Sequence, residues 1–173
     1  ALMHDGQALQ AGTSHYFGDG FARAFDIEYT DRENKKVFPH QTSWGVTTRL
    51  IGAIIMTHGD NNGLVLPPKL APIHVVMVPI FKTEEEHAAI IAKMEELKSE
   101  LEKFGLSVKI DDRDNLRSGF KFAEWELKGV PVRIAMGPRD LANGTVEVAR
   151  RDTLTKESMQ LEGVAEAINA LMD

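Results

Sequence analysis

A continuous apolar run at residues 73–80, IHVVMVPI, constrains the fold most strongly. Runs of this kind are typical of a strand buried on both faces of a parallel sheet. Thr83 and Glu86 follow at capping-box spacing, and acidic residues fill the positive first turn of the predicted helix. The helix is expected to reach Phe104, with apolar residues on one side, and to end at Gly105. This strand and its surface helix indicate an α/β unit.

The remainder of the second half repeats this alternation. The pattern predicts strands at 106–110, 130–136 and 145–149, a helix at 118–128 closed by Gly129, and a last helix from residue 158. Residues 137–144 form a turn-rich link that is too short for a crossover, so the strands on either side should be antiparallel. The predicted order is βαβαββα, which gives a mixed sheet flanked by helices.

The first half has a different pattern. Strands are predicted at 7–17, 24–30 and 37–45, with a polar turn at 31–36, followed by a helix at 47–58. That helix is apolar on nearly every side and should be buried, with Gly59 as a left-handed cap. The segment 64–72, LVLPPKLAP, holds three of the seven prolines and suits an extended connector. The predicted domains are therefore 1–70 and 71–173.

Composition excludes several classes of protein. With 43% hydrophobic and 27% charged residues the chain should be well packed, and the absence of cysteine rules out disulfides and thiolate zinc sites. The histidines lack metal-ligand spacing, so no metal ligands are identified. The apolar run at residues 50–56 is far too short to span a bilayer, so no membrane partner and a cytoplasmic location are expected.

The charge distribution is uneven. The net charge of −6 argues against indiscriminate nucleic-acid binding. Residues 109–151 nevertheless hold nine basic and seven acidic residues, a balance of +2 that leaves −8 on the rest of the chain. A local nucleic-acid surface and ordinary surface solvation both remain compatible with this pattern.

Arg49 stands at the start of the apolar helix, where a guanidinium has no local use. A phosphate received jointly by Arg49 and nearby backbone N–H groups is the simplest explanation. The alternative is a helix-start arginine paired with a carboxylate such as Asp60 or Asp26. Asp60 itself is interpreted as a structural turn residue, and His58 as a structural residue at the helix C-terminus.

Four ordered motifs carry a family resemblance: GTSH at 12–15, SWG at 43–45, TTR at 47–49 and HGDNNGLVLPP at 58–68. They resemble the motif 3 region of class II aminoacyl-tRNA synthetases, specifically prolyl-tRNA synthetases of the eukaryote-like or archaeal-like branch. The resemblance implies that residues 1–70 form the C-terminal part of an antiparallel-sheet catalytic domain. It also implies ATP contacts by Gln10, Thr13, Thr47 and Arg49, with Arg49 catalytic, and a proline pocket formed by His15, Ser43, Trp44 and Gly45. Core roles for Trp44 and His15 are the alternatives.

The block at 111–141 and the following VARRDT at 148–153 resemble the anticodon-binding domain of the same family. Anticodon bases are read by stacking and by edge hydrogen bonds, while cations fix the backbone. The candidates are Arg113, Phe120, Lys121, Glu124, Arg139 and Arg150. Each could equally be a surface charge or a core aromatic, and Phe122 and Trp125 are expected to be core.

Motifs 1 and 2 of class II synthetases are not found, nor is the additional C-terminal domain of that branch. The resemblance therefore implies a piece of a longer, homodimeric proline–tRNA ligase, inactive alone. The parent would use ATP with Mg²⁺ to convert L-proline to prolyl-adenylate and transfer it to tRNA(Pro). The alternative is a non-catalytic synthetase-like protein that binds RNA or senses an amino acid.

Overall fold

The computed structural model describes residues 1–172 and divides the chain into two compact units, Ala1–Thr57 and the remainder from His58 onward. Among residues 1–172, none of the helices combines the length and the hydrophobicity that spanning a lipid bilayer requires. The predicted domain boundary after residue 70 stays a prediction.

The first unit contains short strands and two helices. Its elements are β1 (Thr13–Gly18), α1 (Gly20–Ala24), β2 (Tyr29–Thr30), β3 (Lys36–Val37), β4 (Gln41–Gly45) and α2 (Arg49–His58). The strands pair antiparallel as β1 with β4 and β2 with β3. Asp31 caps the predicted polar turn, because its Oδ1 accepts hydrogen bonds from the backbone N–H groups of Glu33 and Lys35, both at 2.8 Å.

The predicted strand at 24–30 is wrong over most of its length. Helix α1 ends at Ala24, and only Tyr29–Thr30 is extended. The rings of Phe17 and Phe21 meet edge to face at 4.8 Å, and Phe21 and Phe25, four residues apart, stack at 6.5 Å. A spacing of four places aromatic side chains on one face of a helical turn, so these contacts favour α1 over a strand.

The predicted burial of helix α2 is also wrong. Ala53 is its one buried residue, whereas Ile51 and Ile55 are 60% and 50% exposed. The first unit has only two small sheets, which cannot cover a helix that is apolar on every side. Gly59 does not take the expected left-handed conformation, since the chain turns at Asp60, whose carboxylate accepts hydrogen bonds from the N–H groups of Asn62 and Gly63.

The second unit is built on a five-stranded mixed sheet. After a 3-10 turn at Pro68–Leu70, its elements are β5 (Val75–Pro79), α3 (Glu84–Lys103), β6 (Val108–Ile110), α4 (Ser118–Leu127), β7 (Val132–Met136), α5 (Pro138–Asn143), β8 (Thr145–Arg150), β9 (Lys156–Gln160) and α6 (Val164–Ala170). The strand order is β6-β5-β7-β8-β9. β5 is parallel to β6 and β7, and β8 is antiparallel to β7 and β9. The predicted mixed sheet flanked by helices is confirmed.

Two predictions within this unit need correction. Residues 156–160 form strand β9, so the last helix begins at Val164 rather than at residue 158. The link at 137–144 contains the short helix α5. The capping box before α3 is confirmed, since Thr83 Oγ1 accepts a hydrogen bond from the Glu86 N–H at 3.2 Å.

Helices cover the two faces of the sheet unequally. The larger apolar cluster joins one face to α3 and α6 through residues such as Ile90, Met94 and Ile168. The smaller cluster, on the α4 side, centres on Val76, Val78, Trp125 and Val130. A cavity remains on that side, lined by residues of α4 and of strands β5, β7, β8 and β9.

Candidate functional site

The predicted proline-pocket residues all lie on the β1–β4 pair, but Trp44, which pairs with Ser14, projects from the face opposite to His15 and Ser43. His15 lies opposite Ser43, and Thr13 lies opposite Gly45. Trp44 is 82% exposed, which contradicts a core role, and His15 is exposed with its ring stacked on Phe17 at 5.4 Å. The core alternatives for Trp44 and His15 are therefore wrong for this chain.

The four predicted ATP-binding residues are joined by hydrogen bonds. The side-chain amide of Gln10 donates to Thr13 Oγ1 at 2.9 Å and accepts from Arg49 Nη1 at 3.0 Å. Thr47 Oγ1 accepts from the Arg49 N–H at 3.2 Å. No carboxylate pairs with Arg49 among the described residues. Its remaining N–H donors, at the start of α2, can receive an anion.

In the second unit, one row of side chains crosses the sheet on the face that carries α4. Lys109, Val76, Arg133, Ala149 and Lys156 are successive cross-strand partners on β6, β5, β7, β8 and β9. Directly paired residues project from the same face of a sheet. The row therefore places three cations beside a mainly apolar surface.

Arg133 is the central residue of this row. Its side chain is 10% exposed, its Nη2 donates to Glu147 Oε1 at 2.9 Å, and its Cζ lies 3.7 Å from the Phe122 ring centroid. Nη1 is buried and has no hydrogen-bond partner within residues 1–172. A buried donor without an acceptor is costly, so Nη1 is suited to a ligand that supplies an acceptor.

This arginine lines a cavity of about 220 Å³ between the sheet and α4. Val76, Arg133 and Ala149 contribute from the sheet. Phe122, Trp125 and Glu126 line it from α4, and Leu154, Thr155 and Lys156 from the β8–β9 side. The cavity combines apolar walls with cations and one carboxylate, as expected for a flat, polar-edged ligand.

Asp111 organises a second polar network beside α4. It accepts two hydrogen bonds from Arg113, at 2.7 and 2.6 Å, and one from Trp125 Nε1 at 2.8 Å. Arg113 also donates to Glu124 at 2.7 Å. The hydrogen bonds from Arg113 and Trp125 hold the pKa of Asp111 well below its ordinary value. This network fixes Trp125, and with it one wall of the cavity.

The prediction that Lys121 contacts the anticodon is wrong. Lys121 is 2% exposed, and its Nζ donates to the Asp111 carbonyl at 2.9 Å. Burial lowers the pKa of this ammonium. Its hydrogen-bonding capacity is used inside the protein, because the residue lies on the inner face of α4.

The other predicted anticodon residues are dispersed. Arg150 lines the cavity and pairs with Asp152, with Nη2 to Oδ2 at 2.6 Å. Phe120 is 59% exposed on α4, and Arg139 is exposed on α5. Arg113 and Glu124 form an ion pair with each other, with Nη2 to Oε2 at 2.7 Å. Roles for these five residues in anticodon binding stay predictions.

Sequence reasoning missed Arg133 and Lys156, and it assigned Phe122 and Trp125 to the core alone. Both aromatics do pack in the smaller cluster, but they also line the cavity. One signal was available for Arg133, a cation inside an otherwise apolar strand whose five residues are all buried. Buried cations are uncommon and call for a partner or a function.

Asp60 is confirmed as a structural turn residue with a distant partner. Arg151 donates to both of its carboxylate oxygens, at 2.7 and 2.6 Å, and to the Glu126 carbonyl at 2.9 Å. The hydrogen bonds from Arg151 lower the pKa of Asp60 to about 2.

Within the described residues, no group of three or more His, Cys, Asp or Glu side chains could hold a metal ion.

The family is identified by comparison with known proteins. A family model described as an anticodon binding domain matches residues 74–171, which is more than half of the chain. The chain therefore belongs to the anticodon-binding domain family.

Individual relatives resemble the chain over its whole length. It is 60% identical to a proline–tRNA ligase of Flavobacterium johnsoniae, 57% to that of Porphyromonas gingivalis and 56% to that of Bacteroides fragilis. Each comparison covers 100% of this chain but 35% of the relative. The chain thus spans about a third of the length of these relatives.

Proposed function

We propose that the chain is part of a proline–tRNA ligase and that the cavity of its second unit binds an unstacked base of the tRNA(Pro) anticodon. The observation that carries the site is the buried Nη1 of Arg133, which has no acceptor in the described protein and belongs to a residue that lines the cavity. Single-stranded RNA is recognised by splaying bases into such pockets and bonding their edges. The family match and the similarity to proline–tRNA ligases support this choice of RNA.

The chemistry of the cavity favours guanine among the bases. An arginine pairs most often with the O6 and N7 acceptors of guanine. Glu126 also lines the cavity, and its carboxylate can accept hydrogen bonds from the N–H groups on the opposite edge of the same base. Apolar contact with Phe122 and Trp125 would then exclude water from the base.

For the first unit we propose ATP contacts by Gln10, Thr13, Thr47 and Arg49. The hydrogen bonds that join these residues support a shared role. Arg49 would neutralise and hold the leaving pyrophosphate as proline attacks the α-phosphate of ATP to form prolyl-adenylate. Mg²⁺ would accompany ATP.

The neighbouring β1–β4 pair would receive proline. Its candidates are His15, Ser43, Trp44 and Gly45. The direct pairing of His15 with Ser43 supports a shared role for these two side chains, whereas Trp44 pairs with Ser14 and projects from the other face. A small imino acid offers an apolar ring to pack against and few polar groups to read. The parent would then transfer the prolyl group to tRNA(Pro), and the piece alone would be inactive because motifs 1 and 2 are needed to complete the site.

The remaining elements of the proposal follow from the family resemblance. They are a homodimeric parent in the cytoplasm, membership of the eukaryote-like or archaeal-like branch, and anticodon contacts by Arg113, Phe120, Glu124, Arg139 and Arg150. Similarity to proline–tRNA ligases along the whole chain favours the enzyme over a non-catalytic regulator.

Binding of a labelled RNA stem-loop with the proline anticodon loop tests the cavity. Arg133→Gln should weaken binding about tenfold, because it removes the donor aimed at the base. Replacing the loop guanines with adenines should lower the affinity of the RNA for the unsubstituted chain. The same replacement should lower the affinity for the Arg133→Gln variant by a smaller factor. Fluorescence anisotropy at fixed ionic strength measures both affinities.

Lys98→Gln is the matched control, since it removes one positive charge from α3, which packs on the opposite face of the sheet. Its affinity should stay near that of the unsubstituted chain. Equal losses in the two variants would indicate general electrostatics and contradict the cavity as the binding site.

A further inference from the structure

The turn between β8 and β9 holds a leucine in an unusual conformation. Leu154 has a φ of +56°. The other two non-glycine residues with positive φ in the described chain are Asp26 and Asn34, whose short polar side chains tolerate this conformation. A leucine has no polar side-chain group that could offset the steric cost with a local hydrogen bond.

Its position is nevertheless well fixed. The Arg150 N–H donates to the Thr155 carbonyl at 2.9 Å, and the hydroxyls of Thr153 and Thr155 lie 2.7 Å apart. Arg150 and Asp152 add a two-bond ion pair to the same turn. These contacts hold the backbone that carries Leu154.

The side chain of Leu154 is 52% exposed and lines the cavity beside Arg133. Phe122 and Trp125 line it from α4, so Leu154 supplies apolar surface from the other side. Strained residues that persist in a well-fixed turn are often found at binding sites. An exposed leucine gains stability only when something covers it.

We propose that Leu154 is a ligand-binding residue that packs against the face of the nucleobase held in the cavity. This inference rests on the proposed function and adds a contact residue to it. The base would lie between the leucine and the α4 wall, with its edge toward Arg133. Bound RNA would bury the leucine, and the αL turn would be the means of presenting it.

Leu154→Asn and Leu154→Gly test this inference in the full chain. Both replacements relieve the backbone, since Asn and Gly accept positive φ, and both remove the apolar contact. The thermal midpoint should stay unchanged or rise by about 2 °C. The affinity for the proline anticodon stem-loop should fall roughly fivefold, as expected for loss of a partly buried leucine.

Leu70→Asn is the control, because Leu70 is similarly exposed, at 55%, and does not line the cavity. It should leave RNA affinity unchanged. If Leu154 had only a structural role, its replacement would not raise the thermal midpoint while lowering the RNA affinity.

The outcomes separate this inference from the proposed function. If Arg133→Gln weakens binding and both Leu154 variants bind normally, the inference is wrong and the proposed function stands. If the unsubstituted chain does not bind the stem-loop, both are wrong. If the Leu154 variants lose thermal stability, the leucine belongs to the folded core and the inference is again overturned.

Discussion

Two buried arginines, Arg133 on β7 and Arg151 in the turn after β8, differ in how completely the protein satisfies their hydrogen-bond donors. Arg151 makes two hydrogen bonds to Asp60 and one to the Glu126 carbonyl, and its side chain is 3% exposed. Arg133 has one carboxylate contact, and its buried Nη1 has no partner among the described residues. A satisfied buried cation fixes structure, whereas an unsatisfied one retains an interaction for a ligand. This difference distinguishes the structural arginine from the proposed binding arginine.

The Asp60–Arg151 pair predicts a specific acid sensitivity. The pKa of Asp60 falls from 3.8 to about 2 on folding, so the pair adds stability that is complete above about pH 5 and is lost as the pH falls through 2. Asp60→Asn should lower the thermal midpoint at pH 6, and the difference from the unsubstituted chain should shrink toward pH 2. Thermal unfolding followed by circular dichroism between pH 6 and 2 checks this. A difference that stays constant down to pH 2 would contradict the assignment.

The connector before β5 is held against the end of α4 by backbone hydrogen bonds. The Leu64 N–H donates to the Leu127 carbonyl at 3.0 Å, and the Leu66 N–H donates to the Gly129 carbonyl at 3.2 Å. A Cβ on Gly63 would lie 2.6 Å from the Leu127 Cα, so side chains are excluded where the two segments meet. The extended connector is therefore an integral part of the second unit.

Gly129→Ala should destabilise the chain by about 3 kcal/mol, because φ is +72° and a Cβ would clash with the backbone of Leu64. Gly105→Ala is the matched control. Gly105 has a φ of +80° at the end of α3, but its Cβ would meet nothing within 4 Å, so only the conformational cost of about 1 kcal/mol applies. Urea denaturation of both variants measures the difference. Equal losses of unfolding free energy in the two variants would show that the connector is not in close steric contact with Gly129.

Sequence pattern predicts those elements whose signal is local. The apolar run of β5 and the capped, one-sided helix α3 were found because burial and capping both mark the sequence. Strand β9, KESMQ, was missed because its residues are mostly exposed and only pairing with β8 makes them a strand. Helix α5 has only six residues, too few to show a helical period.

The cavity was harder to predict than the fold. Arg133, Phe122 and Leu154 come from a strand, a helix and a turn, and only the sheet register brings them together. The family resemblance predicted a shared ATP-binding role for Gln10, Thr13, Thr47 and Arg49. The chemistry of the individual residues, without the resemblance, indicated an anion-binding role for Arg49 alone. The pairing of strands that are distant in sequence leaves no pattern in the local sequence. A cavity that depends on such pairing therefore cannot be predicted from one sequence in the way that a single helix or strand can.

The two units differ in how much apolar surface they bury. The second unit has clusters on both sides of its sheet, with many fully buried side chains. In the first unit the buried hydrophobic residues are Ala22 and Ala53, while Phe25, Trp44 and Ile51 are at least 60% exposed. Because burial supplies most of the folding free energy, local stability should differ in the same direction.

Hydrogen exchange followed by mass spectrometry on the full chain should reveal this difference. Amides of β5 and β7 should exchange only through global unfolding of the second unit, since these central strands are fully buried. Amides of β1 and α2 should exchange at least about tenfold faster, because local opening there exposes little additional apolar surface. A peptide from α3 provides an internal control: its regular helix hydrogen bonds match those of α2, but its apolar face is buried. Strong and uniform protection of α2 and α3 would mean that hydrogen bonding rather than burial sets local stability. That result would contradict the lower local stability expected for the first unit from its exposed apolar surface.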